Sequence, residues 1–220
     1  MADAKALGAF VREGVGVRVP PSAPVVPGTP DPPVDPLRSA GEDDGGMSLD
    51  FVLDPDLTDE LRERILRLWV QVTNAGGAVG FVAPVTADDV RPLAEQTLAG
   101  VAGGVDHLLA GFDDGELVAL LFVSSNRFAL KEHWRVLKRV MVTPDSQGRG
   151  YGAAIMREAT EVARKMGLAA LQVTVRDGAG TEKFYERLGY RQVGRLPGAL
   201  RVAPGDDRDE IHMWLPLAGD

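Results

Sequence analysis

The chain has 220 residues, of which 45% are hydrophobic and 25% charged; it carries a net charge of −8 and contains no cysteine. These values are typical of a folded, water-soluble protein, and they exclude a disulfide framework, thiolate-bound zinc and a cysteine nucleophile. The acidic balance argues against binding to nucleic acid through its phosphates, and the longest apolar run (117–123) is far shorter than a membrane span of about 20 residues. We therefore predict a cytoplasmic protein with no nucleic-acid or membrane partner and, with three histidines, no metal site.

Residues 1–46 differ from the rest of the chain. They contain eight of the 15 prolines, all between Pro20 and Pro36, and they end in a polar, glycine-containing run. Because proline removes a backbone donor and restricts its predecessor, we predict a disordered leader without a signal peptide. A second interpretation is a misassigned start at Met47, because Val17-Arg18-Val19-Pro20 is what the conserved T-arm of a transfer RNA gene would encode. The intact mass of the natively expressed protein distinguishes the two.

From residue 48 onward, apolar spacing and turn signals predict alternating strands and helices. A first strand (48–53) precedes two helices (58–72 and 86–101) that begin at the N-caps Thr58 and Thr86. The remaining strands are expected at 106–112, 116–124, 134–142, 171–175, 190–196 and 211–217. The remaining helices are expected at 150–166 and 181–188. The order indicates a mixed α/β sheet in which the strand–helix–strand unit 135–175 is parallel and right-handed.

The most informative segment is 140–152, where a β-branched strand ends in Thr143-Pro144 and a glycine-rich loop leads directly into a helix. Glycines allow a bulky anion to approach the backbone, and the free N–H groups of the first helical turn point toward it. Such a loop can cradle a pyrophosphate. Gly148, Gly150 and Gly152 are two apart, which does not fit the GxGxxG pattern of dinucleotide-binding oxidoreductases, and a P-loop pattern is missing.

Gln147-x-x-Gly150-x-Gly152 resembles the coenzyme A pyrophosphate loop of the GNAT superfamily of acyl-CoA-dependent N-acyltransferases. Residues 140–144 look like the end of that family's fourth strand, and 184–190 resembles its Phe-Tyr-x-x-x-Gly-Phe/Tyr signature. The resemblance covers roughly residues 116–217. It implies a GNAT domain at 47–220 with an α/β fold: a mixed, mostly antiparallel central sheet with one parallel, splayed strand pair and helices on both faces.

The same resemblance implies an N-acetyltransferase that moves an acetyl or short acyl group from acetyl-CoA to a primary amine by direct attack in a ternary complex. The backbone N–H of Val142 would polarise the thioester carbonyl, and Tyr185 would protonate the leaving thiolate. Alternatively, Tyr185 packs against the sheet and its hydroxyl contacts coenzyme A without being essential. The implied cofactor-binding residues are Val140, Met141, Val142, Gln147, Gly148, Arg149, Gly150, Tyr151, Gly152, Gly178 and Tyr185.

The chain departs from the family pattern at two positions. The strand that often carries a catalytic carboxylate has none between residues 134 and 140. The general base is therefore Glu132, His133 or a water, or none is needed because the amine arrives neutral. Gly178 occupies the position of an asparagine that often contacts the pantetheine arm. The acidic run 205–210, read as the link between the last two strands, is either simply solvated or attracts a cationic acceptor.

The departures keep a second function open, a catalytically silent acyl-CoA-binding sensor. The acceptor of an active enzyme is a small-molecule or peptide amine whose identity the sequence leaves open. The acyl length and the oligomeric state, including a homodimer, are open as well. Residues 74–81 would wall the acceptor cleft as a mobile lid or serve only as a connection.

Overall fold

Seven strands and four α-helices make up residues 49–217, the part of the chain that the computed structural model describes. The predicted leader at 1–46 and the alternative start at Met47 lie outside these residues. The strands are β1 (Asp50–Leu53), β2 (His107–Asp113), β3 (Glu116–Ser124), β4 (Trp134–Val142), β5 (Ala170–Arg176), β6 (Arg191–Ala203) and β7 (Asp206–Pro216). The helices are α1 (Asp59–Asn74), α2 (Ala87–Ala102), α3 (Tyr151–Lys165) and α4 (Glu182–Arg187).

All seven strands form one sheet in the order β1-β2-β3-β4-β5-β7-β6. Every neighbouring pair is antiparallel except β4 and β5, which run parallel. Helices α1 and α2 cover one face around Trp69 and Phe122, and α3 covers the other around Ile155. The predicted fold, a mostly antiparallel mixed sheet with one parallel pair and helices on both faces, is confirmed.

The first two helices begin where local capping chemistry places them. The Thr58 hydroxyl accepts a hydrogen bond from the Leu61 N–H at 3.2 Å. Thr86 and Asp89 form a reciprocal capping box, which satisfies two backbone donors at the start of α2. None of the helices in residues 49–217 is long and apolar enough to cross a membrane.

The last two strands are longer than the sequence predicts. The expected strands 190–196 and 211–217 extend to Arg191–Ala203 and Asp206–Pro216, so the acidic run 205–210, interpreted as a loop, lies almost entirely in β7. Periodicity missed the extension because this outer half of the hairpin is mostly solvent-exposed, and the apolar residues on one of its faces, Leu200 and Val202, are too few to predict a strand. Cross-strand ion pairs, Arg201 with Asp207 and Arg195 with Asp209, join the two strands there instead.

Candidate active site

The parallel strands β4 and β5 separate along their length. They pair only at their beginnings, where Trp134–Val136 lies beside Ala170–Gln172. Beyond this point the end of β4 has no strand partner on the β5 side. The Thr143 N–H donates to the Val118 carbonyl of β3 at 2.8 Å. Because N–H groups alternate in direction along a strand, the Val142 N–H points into the opening between β4 and β5.

A β-bulge marks the point at which β4 turns toward this opening. Leu120 and Phe122 of β3 pair with Met141 and Lys138, so two residues of β4 oppose one residue of β3. Arg139, in the bulge, has a φ of 52° and lies 4.8 Å from the Trp69 ring. Bulges bend a strand and redirect its side chains. This bulge therefore sets the direction of the last three residues of β4.

The glycine-rich loop places free backbone donors beside the end of β4. Gly150 is the N-cap of α3 with a φ of 86°, and no side chain caps the helix. The first intrahelical bond there runs from the Ala154 N–H to the Gly150 carbonyl at 3.0 Å. The N–H groups of residues 151–153 thus lack helical partners and lie at the positive end of the helix dipole. This arrangement suits a phosphate or another anion.

A cavity of about 400 Å³ lies between the diverging strands. Five of the residues predicted from the sequence line it: Val140, Val142, Gln147, Gly152 and Tyr185. The rest of its wall comes from the segment after α1 (residues 75–79), the end of β5, and the loop before α4. Elements that are distant in sequence therefore meet at one site.

The other predicted residues lie around this cavity rather than on its wall. Gly148, Arg149 and Gly150 form an exposed rim, and the guanidinium of Arg149 lies 3.9 Å from the Asp113 carboxylate. Met141 is buried in the core beneath α1 and α2, so only its backbone is near the cavity. Tyr151 and Gly178 also lie off the wall.

The side chain of Tyr151 is buried and donates a hydrogen bond to Asp113 at 2.6 Å. That hydrogen bond raises the pKa of Tyr151. Only the backbone N–H of this residue is free to meet a ligand. Gly178 has a φ of 76°, and a Cβ there would lie 3.0 Å from the Arg208 guanidinium, which leaves little room for a larger residue such as asparagine.

Tyr185 is held by two aromatic neighbours. Its ring makes edge contacts with Phe184 and Tyr190, with centroid distances of 5.0 and 5.7 Å. Burial raises the pKa of Tyr185 to about 12. The hydroxyl therefore keeps its proton at neutral pH and can act as a donor in the cavity.

These buried tyrosines predict a loss of stability in alkali. Burial also raises the pKa of Tyr190 above its ordinary value of 10.0. Below about pH 10 both hydroxyls are protonated in the folded and the unfolded chain, but above it the unfolded chain loses its protons first. We expect the free energy of unfolding to fall between about pH 10 and 12, by up to about 1.4 kcal/mol per pH unit for each tyrosine. Urea denaturation at a series of pH values measures this slope.

The matched variant for this measurement is Tyr190→Phe, which removes one of the two ionising groups and keeps the ring. It should flatten the alkaline fall by up to half. If the free energy of unfolding fell equally with pH in the wild-type chain and in Tyr190→Phe, the ionisation of Tyr190 would not contribute to the alkaline loss of stability.

A second cavity of about 450 Å³ adjoins the first. The two share Ala78, Thr174, Val175 and Arg176. The second cavity is further lined by residues 80–82, by residues 199–202 of β6, and by Glu210 of β7. Sequence reasoning anticipated the segment after α1 but not the wall from β5 and β6. Strand periodicity does not reveal which strands will diverge.

The segment after α1 is fixed by specific contacts. The buried indole N–H of Trp69 donates to the Val79 carbonyl at 2.9 Å, and the Arg176 guanidinium donates to the Gly76 carbonyl at 3.3 Å. The Asn74 side chain bonds the backbone of Val85 through both its amide groups, at 2.8 and 2.9 Å. These contacts attach the segment to α1 and to β5, so that it walls both cavities.

Glu132 and His133, the predicted candidates for a general base, are exposed at the beginning of β4. Val142, at the open end of the strand, is nine residues beyond His133 and ten beyond Glu132, roughly 30 Å at the rise of a β-strand. Neither side chain can reach the cavity. In residues 49–217 no group of three or more His, Cys, Asp or Glu side chains is placed to hold a metal ion.

The sequence pattern of the acetyltransferase (GNAT) family matches residues 81–190. An uncharacterized N-acetyltransferase of Methanocaldococcus jannaschii is 34% identical over 67 residues, which are 30% of this chain and 30% of the length of that relative. A GNAT-family protein from Desulfovibrio desulfuricans superposes with a TM-score of 0.61 at 21% identity, covering 78% of this chain and all of the other. The yncA protein of Salmonella typhimurium, solved with its cofactor acetyl-CoA, gives 0.62 at 16% identity over 79% and 96% of the two chains.

Proposed function

This chain belongs to the acetyltransferase (GNAT) family, and from that premise we propose that it transfers an acetyl or other short acyl group from acetyl-CoA to a primary amine in the cytoplasm. The observation that carries the proposal is the meeting of an uncapped helix N-terminus, an unpaired strand end and the Tyr185 side chain around one cavity. An anion site, an extended-chain site and a proton donor are what an acyl-CoA thioester requires. Acetyl-CoA supplies an acetyl group that is activated as a thioester, and the thiolate of coenzyme A is the leaving group.

The residues present fit the pyrophosphate of this substrate. The backbone N–H groups of residues 148–153 would donate to it, because Gly148 and Gly150 have left-handed φ values and present no side chain in the way. The exposed guanidinium of Arg149 lies on the same rim and would add positive charge. In this role Tyr151 contributes its backbone N–H.

The open edge of β4 fits the pantetheine arm. Residues 140–142 would pair with its amides as a further strand would, since their backbone groups on the β5 side have no strand partner. The Val142 N–H would then donate to the thioester carbonyl oxygen and stabilise the negative charge that develops there. The side chains of Val140 and Val142 would line the channel, and Gly152 would let the arm approach α3.

Tyr185 would give its proton to the departing thiolate. Its ring is fixed between Phe184 and Tyr190, and its raised pKa keeps it protonated. With no cysteine in the chain, a cysteinyl acyl-enzyme cannot form. We propose that the amine attacks the thioester directly while both substrates are bound.

The second cavity would hold the acceptor. It adjoins the first along Thr174–Arg176 and is lined by Phe81, Val82 and Leu200, which favour an amine with an apolar portion. An acceptor there would approach the thioester from the β5 side. The acceptor would be a small-molecule or peptide amine.

Calorimetric titration of the full chain with acetyl-CoA tests the proposal, with NADH and ATP as controls. We expect stoichiometric binding of acetyl-CoA and none of either control, followed by release of free thiol when a primary amine is added. Binding without thiol release from any amine would favour the acyl-CoA sensor. No binding of acetyl-CoA would overturn the proposed activity and leave the fold unchanged.

A further inference from the structure

The second cavity contains one carboxylate among its charged side chains. Its wall carries Arg176, Arg201 and Glu210. Arg201 is held by Asp207 through two bonds of 2.7 and 2.8 Å, and Arg176 donates to the Gly76 carbonyl. Within residues 49–217, no lysine or arginine nitrogen lies within 4.0 Å of the Glu210 carboxylate. Glu210 therefore lines the cavity and forms no ion pair with a lysine or arginine of the described residues.

The other acidic residues of β7 are already paired. Asp206 bonds Arg208, Asp207 bonds Arg201, and Asp209 bonds Arg195. Asp209 also accepts a hydrogen bond from the Gly198 N–H at 2.9 Å. These bonds fix the hairpin and leave those carboxylates little capacity for a ligand. Of the carboxylates in the acidic run 205–210, that of Glu210 is therefore the candidate to attract a cation.

His212 is the nearest titratable neighbour of Glu210 on β7. The two residues are separated by one position on β7 and share a face of the sheet. Nε2 of His212 lies 3.7 Å from Oε2 of Glu210, while Nδ1 lies 2.9 Å from the side-chain nitrogen of Gln172. Nε2 is buried and has no hydrogen-bond partner in the described part of the chain. The imidazole is thus anchored by Gln172 and lies beside the carboxylate without a hydrogen bond to it.

We propose that Glu210 binds the ammonium group of the acceptor and accepts its proton before attack. The proposal rests on the proposed acetyl transfer, for which the usual strand carboxylate is missing from β4. The ammonium loses one proton to Glu210, and the nitrogen lone pair forms the C–N bond. The C–S bond breaks with its electron pair on sulfur, and the thiolate takes a proton from Tyr185. Glu210 passes its proton to water. The second amine proton leaves after the C–N bond has formed and, through water, restores the proton that Tyr185 gave to the thiolate.

Around Glu210, the charged or titratable groups are Arg176 on β5, Arg201 on β6 and His212 on β7. Arg176 is its direct cross-strand neighbour and carries a charge that an ammonium would avoid. His212 takes no part in the proposed step.

The experiment compares the full-length Glu210→Gln variant with Glu132→Gln, which makes the same change on an exposed residue at the far end of β4. Thiol release from acetyl-CoA is measured with phenethylamine, spermidine, L-lysine and an alanine-terminated peptide. Each variant is also titrated with acetyl-CoA by calorimetry, and its thermal midpoint is recorded. We expect Glu210→Gln to lose about 100-fold or more in kcat/KM with every amine that the wild type uses, at unchanged acetyl-CoA affinity.

Glu210→Asp, which keeps the carboxylate, should recover part of the lost activity. Equal kcat/KM for Glu210→Gln and Glu132→Gln would overturn the assignment, as would a loss confined to acetyl-CoA affinity or to thermal stability. If the wild type binds acetyl-CoA but acetylates no amine, the proposed function itself fails and this inference fails with it. If the wild type acetylates amines and Glu210→Gln does so equally well, only the role of Glu210 is rejected.

Discussion

Replacing Tyr185 by phenylalanine is expected to lower kcat about 100- to 10,000-fold, the range that a positioned proton donor contributes. The substitution removes one hydroxyl and keeps the ring. The edge contacts with Phe184 and Tyr190, at 5.0 and 5.7 Å, should therefore persist. Acetyl-CoA affinity should change little, because in the proposed function the phosphates would bind elsewhere, at the start of α3. Steady-state thiol release and calorimetry on the same preparation separate the two effects.

Tyr190→Phe provides the matched control for that variant. Tyr190 makes an edge contact with Tyr185 but lies outside the cavity wall, and its buried hydroxyl has no hydrogen-bond partner within residues 49–217. Removing it should leave turnover unchanged and should not lower stability, since an unsatisfied buried polar group is itself unfavourable. If Tyr185→Phe kept full turnover across the pH range, Tyr185 would be a packing residue and the proton would come from water.

Gly150→Glu is expected to lower acetyl-CoA affinity at least about 100-fold. A side chain at a φ of +86° is strained, and the new carboxylate would occupy the space above the free N–H groups of α3. Like charges about 4 Å apart near a protein surface repel by about 4 kcal/mol, which is enough to displace a pyrophosphate. Calorimetric titration measures the loss, and Gly150→Ala isolates the part that comes from backbone strain.

Gly167→Glu is the corresponding change at the other end of α3. Gly167 also has a positive φ, +71°, and a Cβ there would likewise meet no atom within 4 Å. Strain and added charge are therefore similar in the two variants, but Gly167 lies far from the glycine-rich loop. We expect Gly167→Glu to lose some stability and to keep its acetyl-CoA affinity. Equal affinities in the two variants would show that the loop 147–152 does not bind the substrate.

The local parts of this protein could be read from the sequence. The bounds of β4 were predicted without error, and α1, α2 and α3 within two residues, because capping residues and apolar spacing act over a few neighbouring positions. The glycine-rich loop before α3 is local in the same way. Its backbone angles depend on Gly148 and Gly150, and its anion-binding geometry follows from a helix that starts without a side-chain cap.

The fold class, the family and the glycine-rich loop could thus be predicted from residue patterns alone. Which side chains line the two cavities became known from the folded chain. Tyr151 turned inward to Asp113, the last hairpin extended beyond the core, and Glu210 faced a cavity while its acidic neighbours formed ion pairs. The physical reason is that helix caps and glycine turns are set by residues within one turn of each other. A cavity, by contrast, is set by how far two strands diverge and by which charges are neutralised across the sheet, and both depend on residues distant in sequence.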